Sequence, residues 1–141
     1  MLTSSLLTNN IAAKVAAWKA AAQIGAATGA NAAAMLFENE AKAMVHVESG
    51  ELKEKIHIVA VQPDGPQPLF VVTPTDDAGN KYGFEPPYAR RLEFGFIGVD
   101  SLGRHYHQPP YPYMRPAYDS QQQPAGAAVK QGISTSLQGV Q

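Results

Sequence analysis

The sequence contains no cysteine. That absence excludes disulfide staples, thiolate-held metals and cysteine nucleophiles together, and it suits a reducing cytoplasm. Charge is also scarce: only 16% of the 141 residues are Asp, Glu, Lys or Arg, and the formal net charge is −1. No global basic field is available to recruit nucleic acid. No glycine loop ends in Lys-Ser/Thr to cradle a phosphate, and no serine sits in a nucleophile-elbow context. Strongly apolar runs are missing too. Residues 20–37 carry no formal charge and include Gly25-x-x-x-Gly29, a spacing that lets helices pack closely. The stretch is mostly alanine, however, with Gln23, Thr28 and Asn31 inside, so its transfer energy is far weaker than that of a Leu/Ile run. Residues 1–7 lack a basic region ahead of a strongly apolar segment, so a secretory signal fits poorly. A soluble chain with no membrane partner is the expectation.

What is present is enough apolar material, 45% of residues, for one core in a chain of this length. Residues 1–141 read as a single domain: a helical region over 1–48, sheet and loops over 49–117, and a short helix with a C-terminal arm over 118–141. The fold class is α+β, with an N-terminal helix or helices packed on a small, mainly antiparallel β-sheet. In the helical region Ile11, Val15, Trp18 and Ala22 fall at i, i+4, i+7 and i+11, on one stripe, with Lys14 and Lys19 mostly off it. Ala34, Phe37, Ala41 and Met44 form a second stripe, and Glu38 with Lys42 makes an i, i+4 pair. Each glycine in a helix interior costs about 1 kcal/mol against alanine, so Gly25 and Gly29 predict a break or kink. The alanines suit either close helix packing or a small-residue face against a neighbouring subunit.

Ser49-Gly50 marks the exit into a strand, with Leu52, Glu54, Ile56, Ile58 and Ala60 on one face. Lys53, Lys55, His57, Val59 and Val61 take the other, whose far end is expected to be covered. Pro63-Asp-Gly65-Pro66 is a turn, and residues 69–73 read as a second strand. Asp76-Asp77-Ala78-Gly79-Asn80 supplies turn chemistry to reverse into a strand at 81–84, which Pro86-Pro87 stops ahead of an extended approach to Tyr88. Residues 94–99 and 104–107 predict a hairpin around Asp100-Ser-Leu-Gly103. The prolines at 109, 110 and 112 force an extended segment, and Pro116 suits the first turn of a helix. Pro124, Gly126 and Gly132 predict that this helix is short or broken, with an arm from residue 131 onward.

Candidate chemistry is thin. His105-x-His107 places two imidazoles on one strand face, with His46 and His57 elsewhere, but zinc needs three or four ligands. Asp76-Asp77 with Asn80 lacks the spacing and the closing Glu of a calcium loop. Arg90-Arg91 and Arg104 lie near Tyr88, Tyr106, Tyr111 and Tyr113, yet tyrosines among prolines favour protein packing over base stacking. No catalytic, cofactor or metal residue is expected, and the reading is not an enzyme.

The order of three short patterns carries more. The first is Ser49-Gly50-Glu51-Leu52 with Ile56. The second is Tyr88-Ala89, Leu92, Glu93, Phe94 and Gly95. The third is Gln108-Pro109, then Pro112-Tyr113-Met114-Arg115-Pro116-Ala117. In this order, over roughly residues 10–120, the chain resembles the tail-completion (minor tail component) family, head–tail neck proteins of long-tailed double-stranded DNA phages. The resemblance implies a structural virion protein at the head–tail junction, made in the host cytoplasm. Its copies would form a ring, a hexamer by analogy with the tail tube. The implied partners are the head connector or head-completion protein and the tail terminator or tail tube protein. Genomic DNA would pass through the channel without sequence-specific binding. A tail terminator that caps tail length is the alternative of the same class, and a DNA-binding accessory protein one of another class.

Within that frame Tyr88, Leu92 and Phe94 are expected to pack in the core, and Gly95 to allow a sharp departure. Glu93 and Arg115 are the charges of interest, pairing inside the subunit, across a ring interface, or as an ordinary exposed pair. The candidate interface set is Glu93, Arg115, Phe96, Tyr106, Tyr111 and Tyr113. Residues 96–107 form a loop longer than the link usual in such proteins, which implies an added contact device. Residues 118–141 depart from the family's charged, amphipathic last helix.

Overall fold

The structure, a computed structural model, describes residues 4–45, 50–75 and 87–140. Eight elements follow in order: α1 (Ser4–Met44), α2 (Glu51–Lys55), β1 (Ile56–Gln62), β2 (Leu69–Pro74), α3 (Pro87–Phe94), β3 (Phe96–Val99), β4 (His105–Gln108) and α4 (Met114–Gln138). The arrangement is α+β, as composition and periodicity imply. The strands make two separate antiparallel ribbons, β1–β2 and β3–β4, in place of one sheet. The turn expected at 76–80, the strand at 81–84, His46 and Ser49 lie outside the described residues.

α1 runs for 41 residues without a break at Gly25 or Gly29, about 60 Å at 1.5 Å per residue. The expected kink is absent because α4 lies antiparallel against this stretch and needs the glycines. A Cβ on Gly25 would stand 2.5 Å from the Gly132 carbonyl oxygen, and one on Gly29 would stand 2.6 Å from the Val129 Cα. A Cβ on Gly132 would in turn meet the Gly25 carbonyl oxygen at 2.5 Å. Backbone rests on backbone here, so dispersion contacts over the whole seam offset the intrinsic helix cost of glycine. Further along, the Phe37 and Tyr118 rings stack with centroids 5.5 Å apart. The Glu38–Lys42 pair forms as an ion pair on the flank of α1.

The same packing overturns the expectation of a short C-terminal helix with an arm. α4 extends for 25 residues through Pro124 and Gly126 to Gln138. Pro124 faces solvent, where water can satisfy the carbonyl freed by its missing N–H. Gly132 faces α1, where it permits the closest approach. Pro116 sits in the first turn, as its geometry requires.

Three further corrections concern local structure. Residues 51–55 form one turn and a half of helix, so Leu52 and Glu54 are not on the strand, which begins at Ile56. One i, i+4 Glu/Lys pair favours the helix there: Lys55 bonds Glu51 at 2.8 Å. The far end of β1 is not covered: Val61 is exposed, and the pairing register shifts between Ala60 and Gln62. Residues 87–94 are the helix α3, and its period of 3.6 turns Ala89 and Glu93 inward while Tyr88 and Phe94 are exposed. Pro87 thus starts a helix and does not lie in an extended approach. Gly95, at φ +77°, ends α3 in the left-handed region, and a Cβ there would lie 2.9 Å from the Gln108 carbonyl oxygen.

One core holds these parts together: Ala41 and Val45 of the α1 end, Leu52, Ile56, Ala89, Tyr113 and Ala117, with Val72, Leu92 and Met114 against it. Among the described residues no helix is long and apolar enough to cross a membrane.

Candidate functional site

Glu93 is a buried charged group held by three backbone donors. It is 5% exposed, projects from the last turn of α3, and receives the start of α4. One carboxylate oxygen accepts the backbone N–H groups of Tyr113 and Met114 at 2.8 and 2.9 Å, and the other accepts that of Arg115 at 3.0 Å. A helix leaves its first N–H groups without intrahelical partners, and Tyr113, at the N-cap position, has no side-chain cap of its own. Glu93 supplies the cap from another element, and its negative charge meets the positive end of the helix dipole. Its contact with Arg115 is to the backbone N–H, while the Arg115 side chain is exposed. The pair considered in the sequence is therefore a helix cap within the subunit.

Tyr113 is fully buried and donates its hydroxyl to the Ala89 carbonyl at 3.3 Å. Burial pushes its phenol pKa well above the ordinary 10.0, and the charges of Glu93 and Tyr88 push in the same direction. Tyr111 donates its backbone N–H to the Leu92 carbonyl at 2.8 Å. Glu93 and Tyr113, two of the expected interface residues, are thus inside the subunit. A neighbouring chain cannot reach them without opening the core.

Of the other expected interface residues, Phe96 and Tyr106 lie on the β3–β4 ribbon, Tyr111 follows it, and Arg115 lies in α4, with Tyr111 and Arg115 exposed. Phe96 is half-buried beneath Arg91, whose guanidinium carbon lies 4.3 Å from the ring centre. Asp100 organises the turn. Its carboxylate accepts the backbone N–H groups of Leu102 and Arg104, both at 2.9 Å, the Arg104 side chain at 2.7 Å, and the Tyr106 hydroxyl at 3.0 Å. The Arg104 backbone N–H is the largest of the influences holding the Asp100 carboxyl below its ordinary pKa of 3.8. Gly103 at φ +77° closes the loop, the geometry of a type I turn followed by a left-handed residue. The hairpin read from Asp100-Ser-Leu-Gly103 is present, though its first strand starts at Phe96 because Phe94 belongs to α3.

Register sets Ile97 opposite His107 and Val99 opposite His105, so these four share one face. All four are exposed, Ile97 at 77%, and Leu102 at the tip is 75% exposed. Phe96, Tyr106 and Gln108, with Arg91 and Asp100, line an open cleft of about 500 Å³ together with Val99 and His107 of the first face. Arg91 and Arg104 are engaged by Phe96 and Asp100, which leaves little of a basic platform for nucleic acid. Among the described residues no three His, Asp or Glu side chains converge as a metal-binding group.

The arrangement offers a contact surface: a short ribbon stiffened by one carboxylate, with apolar residues on its outer face and tip. Exposed apolar clusters of this kind mark interaction sites. Ile97, Val99 and Leu102 belong to that surface; they fall within the 96–107 contact device expected from the sequence but not in its named interface set, although strand alternation already places Ile97 and Val99 on a common face. No protein-family model matches this chain, and no curated protein or solved structure matches it.

Proposed function

We propose that this protein is a structural component of the head–tail junction of a long-tailed double-stranded DNA phage. Several copies, six by analogy with the tail tube, form a ring that joins the head connector to the upper end of the tail tube. The observation that supports the reading is the convergence of its three sequence patterns. Leu52 and Ile56 of the first, Ala89 and Glu93 of the second, and Tyr113 and Ala117 of the third meet in one core. Segments far apart in sequence thus form one structural unit, as the resemblance implies.

The exposed β3–β4 ribbon supplies the contact device that such an assembly needs. A head-to-tail contact closes into a ring when its rotation permits. The chain carries a net charge of only −1, so the genome would pass such a ring without tight, sequence-specific binding. The test is electron microscopy of particles made by the parent phage with this gene silenced. Filled heads beside separate tails of normal length are the expected outcome. Overlong tails would reassign the protein to length termination, and intact particles would remove it from the neck.

A further inference from the structure

The apolar seam that α4 occupies on α1 does not stop where α4 stops. At about 100° per residue, Ile11, Val15, Trp18, Ala22, Gly25, Gly29 and Ala33 lie within roughly 80° of arc on one face of α1. α4 covers Gly25 and Gly29, Ala33 is buried on the same face, and Ala21 is the first buried residue after residue 8. Every residue from 8 to 20 is exposed. The seam nevertheless continues across them, with Ile11 at 63%, Val15 at 53% and Trp18 at 51% exposure. Residues 8–20 therefore form an overhang of about 20 Å. A helix of that length is marginal in water by itself.

The charge on the overhang is of one sign. Lys14 and Lys19 flank the stripe on opposite sides, and residues 4–22 contain no acid. The first turn of α1 also lacks an acidic residue, so the positive end of the helix dipole adds to the lysines. A second copy laid along the stripe would bring only the same lysines, with nothing to neutralise them. The seam also changes in size, from glycine under α4 to Ile11, Val15 and Trp18 beyond it. An occupant of the overhang therefore stands further off than α4 does, with room for side chains of leucine size between the axes.

We propose that the α1 overhang docks an amphipathic helix of another protein, one whose apolar seam is flanked by acidic residues, along the track that α4 leaves at its C-terminus. This contact is separate from the β3–β4 ribbon, and it stands or falls independently of the junction reading.

Trp18 is the only tryptophan in the chain and lies in the seam, so its emission reports occupancy directly. The full-length protein is titrated with a synthetic helical peptide carrying a leucine seam flanked by glutamates, and with a matched peptide carrying lysines at those flanks. The glutamate peptide is expected to shift Trp18 emission to the blue and to bind at least about tenfold more tightly than the lysine peptide, with the advantage shrinking in roughly 0.5 M salt. The double change Lys14→Glu with Lys19→Glu should reverse the preference and leave the melting temperature unchanged, since both side chains are exposed. Equal affinity for the two peptides, or no emission change with either, overturns the proposal. So does a concentration-dependent blue shift of the protein alone, which would show that a second copy occupies the seam.

Discussion

The two halves of α1 share a helix, an alanine-rich composition and one apolar stripe, yet their surroundings differ completely. From residue 21 onward α4 presses on the stripe so closely that Gly25 and Gly29 meet Gly132 backbone to backbone. Over residues 8–20 the stripe faces water. Periodicity thus specifies a face and not its occupant. The two long helices also start differently. α4 begins on the Glu93 carboxylate, whereas the first turn of α1 contains no acid.

The contrast is broken most forcefully at the glycine seam. Gly132→Val places a branched side chain where a Cβ alone would lie 2.5 Å from the Gly25 carbonyl oxygen and 2.8 Å from the Gly29 nitrogen. The helices must separate, at a cost of about 3 kcal/mol, read from urea denaturation. Two changes sharpen the comparison. Gly126→Ala, where a Cβ meets nothing within 4 Å, should stabilise by about 0.5–1 kcal/mol. Val15→Ala, on the overhang, should stay within about 0.5 kcal/mol of wild type. Equal losses at Gly132 and Val15 would mean that the two halves are not different in the way described.

Next in size is the start of α4. Glu93→Ala leaves the Tyr113, Met114 and Arg115 N–H groups without their acceptor and removes a charge from the helix N-terminus. The expected cost is about 2–3 kcal/mol, measured as a lowered denaturation midpoint. Arg115→Ala, which keeps the backbone N–H, should cost little. If the two changes cost the same, the guanidinium and not the backbone is the partner that matters.

A smaller loss than at Glu93 is expected at Tyr113 at neutral pH. Tyr113→Phe removes one hydroxyl donor to the Ala89 carbonyl and should cost about 1 kcal/mol. Its larger signature lies in alkali. The folded-state pKa of Tyr113 is raised, so its contribution is fully present below the unfolded value of 10.0 and is lost as pH rises above it towards the folded value. Thermal melts should therefore fall more steeply above pH 10 for the wild type than for the Phe variant. Parallel curves for the two would exclude Tyr113 as the source.

Several features were legible in the residues alone. The stripe of Ile11, Val15, Trp18 and Ala22 is a true helical face, the Asp100-Ser-Leu-Gly103 turn closes a hairpin, and Pro116 falls in a first helical turn. Each depends on interactions within a few positions along the chain, where dihedral preference and side-chain period decide the outcome. Errors came where local preference and distant contact disagree. Gly25, Gly29, Pro124 and Gly132 all read as helix breakers, yet two long helices run through them. Tyr88 and Phe94 read as core residues, but the helical period of α3 selected Ala89 and Glu93 in their place.

The sequence by itself determined the α+β class, the helix faces, the turn chemistry and the absence of any cysteine-based or charge-dense site, because these follow from composition and short-range sterics. Only the tertiary structure decided that glycine serves as a packing surface, that Glu93 caps a helix about twenty residues away, and that part of the α1 stripe is left uncovered. Burial depends on which elements meet, and elements far apart in sequence meet through contacts that no local pattern encodes.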